Sequence, residues 1–256
     1  MSEKIKVTIF NEYIEEKEDP ASVKMYPDGM HNTIKAALSK NPDFEITTVT
    51  QELPDCGMTD ELLNNTDVLL WWGHGYHGDV SDEVTEKVRV KVLQGMGFIP
   101  LHSAHYSKPF KALMGTDCLL LWCDDHKEIM WTAMPSHPIA KDIPEYFIIE
   151  PEEMYGEPFG IPNPDEVVFM SWFNHGNVFR SGVTFRRGHG KIFYFQPGHP
   201  TNPSYHNKYV QKIIENAIYW AKPDLRVSTP RREHFPIGMI ELQIIFINLM
   251  KGGILS

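Results

Sequence analysis

Histidine side chains occur in short segments that follow predicted strands. In "GFIPLHSAHYSKPF" an apolar run is followed directly by His102, Ser103 and His105, ahead of a predicted helix. The run "KIFYF" is followed by "QPGH", which ends in His199. Imidazole exchanges its proton near neutral pH and is a common ligand of zinc-like metals. These positions therefore predict acid–base chemistry or a divalent metal at the strand ends.

The spacing of the histidines also favours metal binding. Two pairs have the spacing His-x-x-His, namely His74 with His77 and His102 with His105. In a helix or a tight turn this spacing can bring two rings to one ion. The predicted ligands of a divalent, zinc-like metal are His102, His105 and His199. The alternative is that such histidines bond to backbone carbonyls and hold loops in place.

A long acidic segment, "EPEEMYGEPFGIPNPDE" from Glu150 to Glu166, contains several prolines and glycines and is predicted to be a loop. It supplies Glu153 and Tyr155. Carboxylates accept hydrogen bonds from hydroxyl groups, and aromatic faces stack on C–H surfaces, so the segment suits a polyol or a sugar. The alternative is a solvated acidic loop with no ligand.

Five apolar runs predict the strands of a parallel sheet. They are Ile5–Phe10, Phe44–Val49, Val68–Trp72, Phe98–Leu101 and Ile192–Phe195. Amphipathic helical patterns separate the first four, as in βαβ units, and open parallel sheets bind ligands beyond the carboxyl ends of their strands. Between residues 117 and 185, shorter runs such as "CLLLW" and "IMWTA" predict antiparallel additions and loops. The predicted fold class is α/β, with a mostly parallel central sheet and antiparallel additions in the second half.

Composition and charge exclude several classes of partner. The 256 residues are 42% hydrophobic and carry a formal net charge of −10, with the basic residues scattered. Neither nucleic acid nor an anionic membrane is an expected partner. No nucleotide cofactor is expected either. The three cysteines show no Cys-x-x-Cys spacing, and "MSEKIKVTIF" does not have the form of a secretory signal. A cytoplasmic protein is therefore expected.

The last part of the chain differs from the rest. Residues 1–224 are expected to form one α/β domain, followed by a linker and an apolar tail over residues 225–256. The run Ile237–Leu249 is interrupted by polar residues and is too short to span a bilayer. Because its apolar side chains cannot form a large exposed patch on a monomer, they are expected to pack on their own domain or on a second subunit. A homo-oligomer is therefore expected.

Several segments taken together resemble the ThuA-like (trehalose utilisation) family. The resemblance rests on "DVLLWWGH", "GMGFIPLHSAH", "HPIAKDIP", "EEMYGE", "GHGKIFYFQPGH" and "NAIYWA", and it covers about residues 4–222. It implies a flavodoxin-like, three-layer α/β/α fold similar to that of class I glutamine amidotransferases. It also implies a role in sugar metabolism, since some members of the family are associated with disaccharides and their keto derivatives.

The resemblance further implies that residues 101–105 form a modified nucleophile elbow. Class I glutamine amidotransferases place a cysteine there, with a partner histidine and glutamate. This chain has "LHSAH" at the elbow and "PGHP" without a His-x-Glu pair. Glutamine-dependent amido transfer is therefore rejected. A serine hydrolase with Ser103 as nucleophile and His199 as base is one alternative.

The main prediction is an enzyme that acts on a disaccharide or a keto-sugar derivative by histidine acid–base or metal-assisted chemistry. Its histidines, His102, His105 and His199, are expected to converge on one pocket, and Glu153 and Tyr155 are expected to contact hydroxyl groups. A further alternative is a sugar-binding or regulatory module without catalytic activity.

Overall fold

The structure is a computed structural model that describes residues 4–224, and the predicted tail from residue 225 lies outside the described residues. Within the described part, nine strands form a single mixed sheet. The strands are β1 (Ile5–Asn11), β2 (Phe44–Thr50), β3 (Val68–Trp72), β4 (Gly97–Leu101), β5 (Leu121–Thr132), β6 (Tyr146–Gly156), β7 (Glu166–Phe173), β8 (Val178–Arg187) and β9 (Gly190–Phe195).

One half of the sheet is parallel, as predicted. The strand order is β2-β1-β3-β4-β9-β8-β7-β5-β6, and neighbouring strands from β2 to β9 run parallel. The remaining strands, from β8 to β6, pair antiparallel. Every residue of β3 is buried, and β3 lies inside the sheet between β1 and β4. Both the parallel core and the antiparallel additions are therefore confirmed.

Helices follow each of the parallel strands. They are α1 (Glu15–Glu18), α2 (Pro20–Met25), α3 (Met30–Leu38), α4 (Asp60–Asn64), α5 (Asp82–Leu93), α6 (Lys108–Met114) and α7 (Lys208–Ala221). The side chains of Thr59, Ser81 and Ser107 accept backbone N–H groups at the starts of α4, α5 and α6. These bonds satisfy amides that have no partner inside the helix. No helix in residues 4–224 is long and apolar enough to cross a membrane.

Two apolar cores, one on each face of the sheet, produce the three layers of the fold. Leu70 of β3 packs in one core with Ile34 of α3 and Ile213 of α7. Leu69, its neighbour in sequence, packs in the other core with Val88 of α5. Because successive strand residues point to opposite faces, β3 contributes to both cores. The expected α/β/α arrangement is confirmed.

The predicted loop over residues 150–166 is wrong in its first half. β6 continues through Gly156 and pairs with β5 from Tyr146 to Gly156, so that Glu153 and Tyr155 lie on a strand. Residues 152–156 are buried, and their packing outweighs the local preference of this segment for a loop. Only residues 157–165 connect β6 to β7. In the same region the first four residues of "IMWTA" and the end of "CLLLW" belong to one strand, β5, rather than to two.

Replacing Leu70 by Ala removes part of a side chain that is fully buried, so the core is left with a cavity. We expect the free energy of unfolding, measured by urea denaturation, to fall by about 2–5 kcal/mol. Leu53 is 43% exposed, and Leu53→Ala should change the same quantity by less than about 0.5 kcal/mol. Equal losses in the two variants would contradict the described core.

Candidate functional site

Four parallel strands deliver polar residues to one edge of the sheet. β1, β3, β4 and β9 lie side by side and point the same way, so the segments after them meet at their carboxyl ends. Glu12 follows β1, His74 follows β3, His102 follows β4 and His199 follows β9. The antiparallel strand β6 adds Glu153 to the same place. The structure therefore places Glu12, His74, His102, His199 and Glu153 together at the carboxyl ends of the parallel strands.

His102 occupies the elbow between β4 and α6. Its φ of +53° is unusual for a residue other than glycine, although histidine adopts this region more readily than most residues. A short 3₁₀ turn, His102–Tyr106, separates the strand from α6, so the strand does not run straight into the helix. The Tyr194 hydroxyl donates to the His102 carbonyl at 3.1 Å and helps to hold the turn. The elbow geometry implied by the family resemblance is therefore present.

The His102 ring is fully buried and both of its nitrogens face oxygen atoms. Nδ1 lies 2.9 Å from the Gln196 carbonyl oxygen, which can only accept, so Nδ1 carries a hydrogen. Nε2 lies 3.0 Å from Oε2 of Glu153. The close distance does not give an aligned hydrogen bond, and this oxygen has no hydrogen-bond partner within residues 4–224. The contact is therefore a close approach of a carboxylate oxygen to a ring nitrogen with poor hydrogen-bond direction.

Glu153 is 4% exposed, and its carboxylate faces several imidazoles. Burial alone would raise the pKa of Glu153. The nearby His102, together with His199 and His74, outweighs burial and lowers that pKa below its ordinary value. Glu153 is therefore a carboxylate at neutral pH.

Tyr155 and Ser103 form the second half of this polar floor. The Tyr155 hydroxyl lies 2.8 Å from Oγ of Ser103 and 3.4 Å from Nε2 of His102. The Tyr155 ring stacks on the His102 ring, with centroids 5.1 Å apart. Burial raises the pKa of Tyr155 well above its usual range, so the hydroxyl keeps its proton. The serine-hydrolase alternative requires a bond between Ser103 and His199. In the structure Ser103 is bonded to Tyr155 instead.

A buried carboxylate holds the loop that carries His74. Glu12 accepts the backbone N–H groups of His74, Gly75 and Tyr76 at 2.9–3.0 Å. Nδ1 of His74 lies 2.7 Å from Oε1 of Glu15. Burial opposes a charge on His74, but Glu15 outweighs it and raises the pKa of the ring. The loop and the ring are thus fixed by two separate glutamates.

The loop that carries His199 is held in the same way by Glu152. This fully buried carboxylate accepts N–H groups from Gly198 at 3.2 Å and from Glu153 at 2.9 Å, and it also bonds to the Ser204 hydroxyl. The Trp72 indole donates to the Gly198 carbonyl at 3.0 Å. Sequence reasoning missed Glu152. The strand alternation of "EEMY" would have separated Glu152 from its neighbour, but only if the segment had been predicted as a strand.

The imidazole of His199 faces the other two rings. Its centroid lies 5.2 Å from that of His74 and 5.7 Å from that of His102. Nδ1 of His199 is 2.8 Å from the Thr201 hydroxyl, so Nε2 is directed away from that bond. Burial, followed by the charge of His102, lowers the pKa of His199 to about 4. The ring is neutral at physiological pH.

His105 and His77 have a different environment. Nδ1 of His105 lies 2.8 Å from the Cys118 carbonyl oxygen, which matches the loop-holding alternative. Burial lowers the pKa of His105 to about 3 and that of His77 to about 4. Within residues 4–224, the ligand atoms of His74, Glu153 and His199 all lie within 4.8 Å of one another, as a metal site requires. Of the predicted ligands, this group contains His199 but neither His102 nor His105.

These residues surround a pocket of about 470 Å³. Ser103, His105, Glu153, Tyr155 and His199, all predicted site residues, line it. His102 is not on the pocket wall and contacts Glu153 from behind it. Trp122, which is 64% exposed, and Tyr106 lie at its wall as well. The pocket therefore combines a polar floor with aromatic surfaces.

A three-layer domain with an elbow at the carboxyl edge of its parallel strands has a flavodoxin-like architecture, and solved structures share it. A ThuA-like protein of Parabacteroides merdae has a TM-score of 0.66 at 15% identity, over 88% of this chain and 93% of that one. A cytoplasmic protein of Salmonella typhimurium has a TM-score of 0.59 at 13% identity, over 86% of this chain and 100% of that one. A β-galactosidase of Bacillus circulans has a TM-score of 0.53 at 13% identity, over 86% of this chain and 32% of that one. At these identities the similarity shows the fold alone.

The sequence identifies the family. Residues 6–221 match the profile of the ThuA family, which is described as trehalose utilisation. The chain therefore belongs to this family, and the resemblance seen in its motifs is confirmed. Membership connects the protein with carbohydrate metabolism. No curated protein matches the sequence.

Replacing Glu152 by Ala should destabilise the fold, because buried donors on Gly198, Glu153 and Ser204 lose their acceptor. We expect the free energy of unfolding to fall by about 2–4 kcal/mol in chemical denaturation. Glu150, on the same strand, forms an exposed ion pair with Lys127. Glu150→Ala should cost less than about 1 kcal/mol. A Glu152→Ala variant as stable as Glu150→Ala would refute the anchoring role.

His105 should make the fold sensitive to acid. Its folded pKa of about 3 lies below the ordinary value of 6.5, so the unfolded chain binds the proton first and stability is lost as the pH falls from 6.5 towards 3. His105→Asn can keep a donor to Cys118 but does not titrate. Between pH 6 and pH 4 the wild type should lose on the order of 1 kcal/mol per pH unit more than this variant. Exposed His189 offers a control, His189→Asn, which should follow the wild type. Parallel curves for His105→Asn and wild type would contradict the prediction.

Proposed function

We propose that this protein is an enzyme that acts on a disaccharide or a keto derivative of one, by proton transfer at a carbonyl-bearing sugar. Family membership supports the substrate class. The observation that carries the proposal is the arrangement at the floor of the pocket, where the Tyr155 hydroxyl lies between Ser103 and His102 and His102 is paired with Glu153. Hydroxyl and imidazole groups are thus connected from the pocket wall into the interior.

The roles follow from which groups reach the pocket. Ser103 and Tyr155 line it, so their hydroxyl groups contact the substrate, and the protonated Tyr155 donates a hydrogen bond to a substrate oxygen. His102 lies behind them and exchanges a proton through Tyr155. Glu153 lies 3.0 Å from Nε2 of His102 and helps to orient its ring. Such general acid–base steps commonly contribute about 10²–10⁴-fold to a rate.

The aromatic wall fits the proposed substrate class. Trp122 and Tyr106 offer flat apolar faces beside the polar floor. A sugar ring presents hydroxyl groups at its edge and C–H groups on its face, so it can bond to the floor and stack on the wall at the same time. A pocket of about 470 Å³ is within the range of small-molecule sites.

His102→Asn is the variant that tests the proposal. Asn tolerates the positive φ of the elbow and can keep a donor towards Gln196, but it has nothing in place of Nε2. With disaccharides and their keto derivatives as a substrate panel, followed by NMR, we expect kcat to fall about 10²–10⁴-fold while the melting temperature changes little. His189→Asn, at an exposed turn, should keep full activity. Sugar binding without turnover by the wild type would instead indicate a binding module, and full activity of His102→Asn would refute the proposed roles.

A further inference from the structure

We propose that His74, Glu153 and His199 bind one divalent, zinc-like cation at the pocket. The three side chains come from the loops after β3 and β9 and from β6, and their ligand atoms all lie within 4.8 Å of one another. Four ligands placed tetrahedrally about 2.0–2.1 Å from zinc are about 3.3 Å apart. Small side-chain rotations are therefore enough to close the group around an ion. Two histidines and one carboxylate form a known catalytic ligand set for zinc.

Both histidines are already oriented as metal ligands. Nδ1 of His74 is engaged by Glu15 at 2.7 Å, and Nδ1 of His199 is engaged by the Thr201 hydroxyl at 2.8 Å. In each ring this leaves Nε2 as the nitrogen available to an ion. Metal-binding histidines commonly bond through their second nitrogen to a carboxylate or another oxygen, which fixes the ring and increases its basicity. Glu15 thus acts as a positioning residue for His74.

Among the described residues, the Glu153 carboxylate lacks a hydrogen-bond donor at one oxygen, and a bound cation would interact with that oxygen instead. Glu153 is 4% exposed, yet its Oε2 has no aligned hydrogen-bond donor within residues 4–224. A buried charged oxygen without a donor is costly, and an ion bound to it would remove that cost. Glu153 can bind the cation while it remains in contact with His102.

The charge of the pocket also favours a cation. Among the residues within 4–224 that line it there is no lysine or arginine. Asp124 lines the pocket together with Glu153, and its Oδ1 lies 3.9 Å from Nε2 of His199. An ion held by three protein groups keeps a further position for water or a substrate oxygen. The cation would polarise a substrate carbonyl beside Tyr155, which goes beyond proton transfer by protein groups alone.

Metal titration of the full-length chain, after treatment with a chelator, tests the site without any substrate. We expect Zn²⁺ to bind with a stoichiometry of one in calorimetry, and Co²⁺ to give the visible absorption of a tetrahedral N/O site. His74→Ala, His199→Ala and Glu153→Gln should each weaken binding at least 100-fold. Glu15→Gln should weaken it about 10–100-fold, which is usual for the partner of a metal-bound histidine.

His77→Ala is the matched control, because His77 is a buried histidine that lines the same pocket and lies outside the ligand group. This variant should bind Zn²⁺ like the wild type. Circular dichroism of each chelator-treated variant identifies any that fail to fold, and Glu15→Gln and Glu153→Gln then carry the test. The proposal is overturned if the wild type binds no Zn²⁺ at a stoichiometry of one, or if His77→Ala weakens binding as much as His74→Ala. Because the readout is binding, its outcome is independent of whether the protein turns over a sugar.

Discussion

Buried carboxylates that accept backbone N–H groups hold this site together. Glu12 fixes the loop after β3, and Glu152 fixes the loop after β9. Residues 73–76 and 196–203 have no regular secondary structure to orient a histidine, so the geometry of His74 and His199 depends on these bonds. Burial raises the pKa of Glu12 and of Glu152. The hydrogen bonds from the loop amides offset part of the cost of burying these carboxylates. Removing an acceptor would release several donors at once, since each carboxylate serves several partners.

Burial acts in opposite ways on the acidic and basic groups of the pocket. It favours the neutral form of His77, His105 and His199, whose pKa values all fall. Glu153 is an exception among the carboxylates, since its pKa is lowered by the imidazoles that face it. The result is an ionised Glu153 beside the neutral ring of His199. His199 therefore keeps a lone pair at neutral pH, which both proton transfer and metal binding need.

The antiparallel half of the sheet completes a site that the parallel half begins. Parallel strands bring His74, His102 and His199 to one edge, but they supply no carboxylate on the pocket wall. The antiparallel strands supply two, Asp124 of β5 and Glu153 of β6, and the alternation of β6 separates two neighbouring glutamates. Glu152 points to the loop of His199, whereas Glu153 lies on the pocket wall with Tyr155. Adjacent positions in one strand thus have different tasks, because successive side chains point to opposite faces.

The sequence by itself determined the parallel core and the placement of histidines at its edge. Continuous apolar runs such as β3 and the capping residues Thr59 and Ser81 are local signals, and the direction of parallel strands follows from the βαβ order. Only the tertiary structure decided that Glu153 lies on a strand. It also decided that His74, rather than His105, forms the candidate ligand group with Glu153 and His199. Strand pairing and ring orientation depend on contacts between residues that are far apart in the chain. His105 shows this directly, since its Nδ1 is taken by a carbonyl of the segment before β5, a contact that no spacing between histidines encodes.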